Sequence, residues 1–150
     1  MAGNDNLLGG PGKDVVFGGH PGEECCNDSN FSGGDKNLVG GDGNDEVEGG
    51  RGSDNIVGGR GNDSLFEGAE PDVAKPNILS AGVGNDVVWV LNFSPRGKDF
   101  LSCGSGFDRV IADRTDVIAP DCERVFFAQR SLDAFFESIP ESFWEGLPQF

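Results

Sequence analysis

A nine-residue period constrains this chain more than any other property. GGPGKDVVF from Gly9, GGDGNDEVE from Gly40, GGRGSDNIV from Gly49 and GGRGNDSLF from Gly58 share the pattern G-G-x-G-x-D-x-U-x, where U is large and apolar. The last three run head to tail. Extending the register outward gives an acidic sixth column of Asp5, Asp14, Asp45, Asp54, Asp63, Asp86 and Asp108. The eighth column is apolar: Leu7, Val16, Val47, Ile56, Leu65, Val88 and Val110. Weaker copies place Asn77 and Leu79, then Asp99 and Leu101, in these two columns, and a further copy has Lys36 before Leu38. Residues 18–26 form a degenerate copy with Glu23 and Cys25. Extra residues at Asn27–Asn30, Glu67–Pro71 and Val90–Phe93 read as bulges between intact rungs, as insertions in repeat proteins usually are. Beyond Ile111 the glycines vanish and the steps shorten, with Val117 and Val125 expected to face inward and the coil to end near Phe127.

Each half of the repeat has a physical reading. Glycine permits positive φ and close backbone approach, so G-G-x-G-x-D can form a tight loop that turns carbonyls inward. The remaining x-U-x is long enough only for a short strand, in which side chains alternate and the middle one points inside. Two repeats then make one turn of about eighteen residues, and repeats n and n+2 stack as parallel strands roughly 4.8 Å apart. Aspartates stacked at that spacing repel one another unless a hard cation lies between adjacent loops. Calcium accepts six to eight oxygens in irregular geometry, whereas magnesium demands a near-ideal octahedron. The candidate ligands are the side chains of Asp5, Asp14, Asp45, Asp54, Asp63, Asn77, Asp86, Asp99 and Asp108. They are joined by the loops of Gly41, Gly43, Gly50, Gly52, Gly59, Gly61, Gly82, Gly84, Gly104 and Gly106. Same-side pairing predicts several ions: Asp45 with Asp63, Asp54 with Asn77, Asp63 with Asp86, Asn77 with Asp99, and Asp86 with Asp108.

The composition agrees with a metal-dependent fold. Twenty-five glycines in 150 residues and a formal net charge of −15 resemble an acidic coil, the state expected when the ligands assemble only on folding. With 26 acidic against 11 basic side chains, no basic patch is available for nucleic acid or an anionic membrane. No apolar run is long enough for membrane insertion, and no signal of the cleaved N-terminal type opens the chain. About six coils would give a prism roughly 30 Å long with a narrow core.

Two cysteine contexts differ. Cys122 follows Cys103 by nineteen residues, about one turn, which places the two on adjacent rungs within disulfide reach. Cys25 and Cys26 lie beside His20 in HPGEECC, where free thiols, a mutual bridge and a link to a second chain all stay open; a zinc centre would need more ligands. Residues 128–150 are different in kind, an aromatic tail within which Ser131–Ser138 suits a short amphipathic helix. The tail can be read as a helical or irregular cap over the last rung, as a segment docking on another copy, or as an uncleaved export signal.

Over Gly3–Val125 the chain resembles the RTX, or hemolysin-type, calcium-binding family, through GGxGxD at Gly9, Gly40, Gly49 and Gly58 and the near copies AGVGND at Ala81 and CGSGFD at Cys103. The resemblance implies an all-β fold, a right-handed parallel β-roll over residues 1–127, with calcium between the loops. It further implies secretion to the extracellular space by a type I system. Such rolls accompany proteases, lipases and toxins, but this chain has no HExxH, no GxSxG, one His and no Tyr, so no enzyme is expected in it. The expected function is an extracellular calcium-binding structural module. A homo-oligomeric head-to-tail filament and an appendage of a larger secreted enzyme or toxin are the alternatives.

Overall fold

The computed structural model describes residues 6–18, 36–50, 52–68, 76–91 and 98–128. Its first coils are β1 (Asn6–Pro11), β2 (Val15–Phe17), β3 (Lys36–Asp42), β4 (Glu46–Glu48), β5 (Asp54–Arg60) and β6 (Ser64–Phe66). They continue as β7 (Ile78–Val83), β8 (Val87–Val90), β9 (Phe100–Ser105), β10 (Arg109–Ala112), β11 (Val117–Ile118) and β12 (Arg124–Phe127). Odd strands form one six-stranded sheet and even strands the other, in chain order. All pairings are parallel. Two strands per coil, alternating between facing sheets, make a parallel β-roll.

The apolar column of the repeat is the core. Leu7, Leu38, Ile56, Leu79, Leu101 and Ile118 stack in register down one sheet. Val16, Val47, Leu65, Val88, Val110 and Val125 stack down the other. The inner coils are fully buried, whereas Leu7 stays 37% exposed because the first coil has a neighbour on one side only. One expectation shifts by a residue: Ile118 pairs with Leu101 and packs on the core, leaving Val117 exposed opposite Phe100. The preceding loop has lost its glycines, so the register is legible there only from the strand pairing. A second buried cluster, Val87 and Ile111 with Trp89, Leu91 and Phe126, lies on the outer face of the even sheet.

The two edges of the roll differ. The first five loops running from odd to even strands keep one length, with the acidic residue five positions after the first: Gly9 to Asp14, Gly40 to Asp45, Gly58 to Asp63, Ala81 to Asp86 and Cys103 to Asp108; the last, from β11 to β12, is shorter. On the opposite edge only the step from Gly49 to Asp54 has that length. Glu67 to Asn77 and Val90 to Asp99 are longer, and Ala112 to Asp116 is shorter. Extra residues therefore fall on one variable edge, and the other edge takes none among the described coils. The insertions also start later than expected, since Glu67 and Val90 are buried positions of the coil and not part of a bulge.

On the regular edge the loops stack almost backbone on backbone. Gly61 has φ of 128°, and a Cβ there would lie 1.6 Å from the Gly43 carbonyl oxygen. Gly12 has a comparable φ of 117° with open space around it. Asparagines in the fifth column add a ladder: Asn62 N–H donates to Asn44 Oδ1 at 2.8 Å, Asn85 N–H to Asn62 Oδ1 at 2.9 Å, and Phe107 N–H to Asn85 Oδ1 at 2.8 Å. Gly12→Ala is expected to cost only the strained backbone, roughly 1–3 kcal/mol. Gly61→Ala should break the coil, because the carbonyl it strikes cannot move without unstacking the loop below. Denaturant unfolding with calcium present compares the two, and equal losses would contradict this stacking.

Candidate metal centre

The acidic column folds into two ladders of side chains, one inside each edge. On the regular edge Asp14, Asp45, Asp63 and Asp86 each donate a backbone N–H to Oδ1 of the acidic residue one coil on, at 2.8 Å in every case. The last step runs from Asp108 N–H to Glu123 Oε2 at 3.0 Å. On the variable edge Asp54 N–H donates to Asn77 Oδ1 at 2.8 Å, Asn77 N–H to Asp99 Oδ1 at 2.6 Å, and Asp99 N–H to Asp116 Oδ1 at 3.2 Å. Every same-side pair expected from the repeat is thus a pair of neighbours in space. Lys36 holds the position opposite Asp54, interrupting the acidic column there. Asp5, Cys25, Cys26, His20 and the tail from residue 129 lie outside the described residues.

Each ladder bond uses one carboxylate oxygen and leaves the other. Oδ2 of Asp14, Asp45, Asp63, Asp86 and Asp108 is buried with no hydrogen-bond partner, five orphaned oxygens in succession along the regular edge. An unpaired buried carboxylate is costly, and like charges one coil apart repel by about 3 kcal/mol at an effective dielectric of 20. Protonation is one escape. Burial, with a smaller push from neighbouring carboxylates, raises Asp63 to about 6 and Asp86 to about 7, each opposed in part by the backbone N–H it accepts. Asp108 and Asp116 move up for the same first reason, Asp116 to about 6.

A cation is the other escape. Among the described residues no three His, Cys, Asp or Glu side chains converge on one point. An ion here would therefore take carboxylate oxygens from adjacent coils and fill its shell with backbone carbonyls, an all-oxygen donor set that suits a hard cation of flexible coordination. The positive-φ pairs Gly41 and Gly43, Gly50 and Gly52, Gly59 and Gly61, Gly82 and Gly84, and Gly104 and Gly106 form the loops beside these carboxylates.

Three acidic residues emerge that the repeat pattern did not single out. Asp116 precedes Ile118 by two, and Glu123 precedes Val125 by two, so both keep the D-x-U spacing after the glycines have gone. Glu67 occupies the first-glycine position of its repeat and is 2% exposed. Its Oε2 accepts from Asn77 Nδ2 at 3.3 Å, its Oε1 is an orphan, and burial followed by the Asp99 charge pushes it up to about 9. Cys103 and Cys122 form a disulfide with Cα atoms 5.1 Å apart, tying the Glu123 segment to the last glycine loop. Asp121 reinforces that join by accepting from the N–H groups of Cys103 and Gly104, at 3.3 and 3.0 Å.

A two-sheet parallel roll whose acidic loops repeat every half coil and orphan a carboxylate oxygen at each regular-edge step defines a calcium-binding repeat module. In agreement with this, residues 1–19 and 32–65 match the RTX calcium-binding nonapeptide repeat in four copies. The later coils continue the same sheets in register to Phe127. No curated protein and no solved structure matches the chain.

Two outcomes are expected. Asp63→Ala removes the acceptor of Asp45 N–H and an orphaned carboxylate, and should cost at least the ~1–3 kcal/mol of a broken buried hydrogen bond. Asp42 is exposed and lies 3.9 Å from Arg60, so Asp42→Ala should change stability by less than about 0.5 kcal/mol. Urea unfolding at saturating calcium separates them, and equal effects would mean that the register is misassigned. Without metal, the carboxylates raised in the fold bind protons more tightly folded than unfolded. Their stabilisation is therefore fully present below the unfolded value near 4 and is lost as pH rises through about 6 to 7. Circular dichroism in chelator should show more strand near pH 5 than near pH 8, and the opposite order would refute a metal-free roll limited by carboxylate charge.

Proposed function

We propose that this chain is an extracellular structural module that folds when calcium fills the steps between stacked loops. The observation that carries the reading is the run of orphaned Oδ2 atoms at Asp14, Asp45, Asp63, Asp86 and Asp108. Asp45, Asp63, Asp86 and Asp108 each fix one oxygen to the neighbouring coil and keep the other buried without a hydrogen-bond partner. When bound, calcium supplies the positive charge that lets stacked carboxylates coexist and adds bonds that exist only in the folded chain. The protein's own part is to place oxygens. Glycine loops bring coils close, the apolar column holds the sheets together, and the ladder bonds orient each carboxylate.

The role is structural rather than catalytic on this reading, since the buried acids are committed to the ladders. An extracellular setting is supported by the disulfide between Cys103 and Cys122 and by a module whose folding calls for abundant calcium. Secretion by a type I system follows from the RTX resemblance.

One observation favours assembly as a second reading. Strands β1 and β2 begin their sheets, and on them Leu8 is 73% and Val15 54% exposed beside Leu7 and Phe17. Exposed apolar strands at a sheet edge are templates for a further strand. A second copy stacked there would extend both sheets head to tail.

Calcium titration followed by circular dichroism and light scattering on one sample tests both. Conversion from coil to strand at constant small size is the expected result. Conversion with growing scattering would put the filament first, and no conversion at millimolar calcium would reject calcium-driven folding.

A further inference from the structure

Glu67 and Asn77 reassign the acidic place of a loop whose sixth position is an amide. In a regular loop the first residue is glycine and the sixth is aspartate, and the two are in contact. A Cβ on Gly40 would lie 2.6 Å from Asp45 Oδ2, one on Gly49 2.8 Å from Asp54 Oδ2, and one on Gly58 2.6 Å from Asp63 Oδ2. The aspartate's inner oxygen therefore rests where a side chain on the first residue would go.

In the loop from Glu67 to Asn77 both residues are changed. Asn77 keeps the structural half of the aspartate's work: its Oδ1 accepts from Asp54 N–H at 2.8 Å, and its own N–H donates to Asp99 Oδ1 at 2.6 Å. The inner atom, however, is now an amide NH2, a donor that cannot bind a cation. That donor faces Glu67, whose Oε2 accepts from it at 3.3 Å. The remaining oxygen, Oε1, is buried without a partner, as Oδ2 is in Asp45, Asp63, Asp86 and Asp108. Glu67 is 2% exposed, and the Asp99 carboxylate is close enough to add to its upward shift, so the two acids flank the step between the Asn77 and Asp99 loops. The orphaned oxygen is conserved in kind and changes its owner.

We propose that Glu67 supplies the anionic oxygen that Asn77 lacks, so that the step between the Asn77 and Asp99 loops binds a calcium ion through Glu67 and Asp99. The inference rests on the reading that calcium fills the steps of this roll. A buried carboxylic acid held by Asn77 for packing alone is the competing account, and it predicts no ion bound through Glu67.

The test is a count of bound calcium by native mass spectrometry, with equilibrium dialysis as a second measure. The proteins compared are the wild type, Glu67→Gln, Glu48→Gln as a partly exposed control on the preceding coil, and the double variant E67G/N77D. Glu67→Gln is nearly isosteric and keeps an oxygen for Asn77 Nδ2; it should bind one ion fewer than the wild type, while Glu48→Gln binds the same number. E67G/N77D returns the loop to the glycine and aspartate of its neighbours and should regain the full count. A wild-type count in Glu67→Gln would overturn the proposal. Should Glu67→Gln fail to fold in calcium, the double variant decides: the wild-type count supports the proposal, and one ion more than the wild type refutes it. A wild type that binds no calcium would instead sink the broader reading of the roll, a result distinct from either.

Discussion

Close stacking of like-charged carboxylates is the constraint on which the rest of this structure depends. A parallel roll with two strands per coil sets the coil spacing by backbone hydrogen bonding, and one acidic residue per loop then places charges at that spacing whether or not they are welcome. The ladder resolves half of the conflict, because each Oδ1 accepts an N–H from the coil before it. The other oxygen is left buried and uncompensated. Without a cation the column can ease that charge only by holding protons, the direction in which burial already pushes Asp63 and Asp86. The fold is thus built around a deficit of positive charge, which a hard divalent ion between coils would remove.

The two edges divide the work. Up to β10 the regular edge has uniform loops, an asparagine ladder, an aspartate ladder and glycines too tightly stacked to carry side chains. A longer loop there would disturb both neighbours. The variable edge accepts insertions after Gly68 and Leu91, and its ladder still runs from Asp54 to Asp116 because the strands on either side fix the register. At the last coil the glycines are gone and other devices hold the stack: the Cys103–Cys122 bridge, the two hydrogen bonds accepted by Asp121, and acids at Asp116 and Glu123 that finish the ladders.

Most of the architecture is legible in the nine-residue period, since period and strand alternation together dictate two strands per coil, a single inward column and the same-side pairs that the ladders display. What the pattern hides are places where the residue type changes and the geometry does not. Asp116 and Glu123 carry the D-x-U spacing but lack the glycines that make it conspicuous, and the same loss moves the inward position from Val117 to Ile118. Glu67 is hidden for another reason. A glutamate in a glycine column, followed by a longer loop, looks like the start of a bulge, and only the burial of its side chain against Asn77 reveals an inward position.

These substitutions bear on how the roll assembles. If the repeat specified residues, the change to Asn77 would end the acidic ladder; if it specifies the positions of oxygens, a neighbour can supply what one residue gives up, as Glu67 does beside Asn77. Lys36 is a different kind of departure, because it stands in the acidic column with a cationic residue opposite Asp54. The regular edge, by contrast, has five orphaned carboxylates in an unbroken run from Asp14 to Asp108. In a one-dimensional stack each coil is stabilised only by its neighbours, so an unbroken run couples its steps and an interruption divides them. Folding driven by calcium should accordingly be most cooperative along the regular edge, with the variable edge following the register already set by the coils.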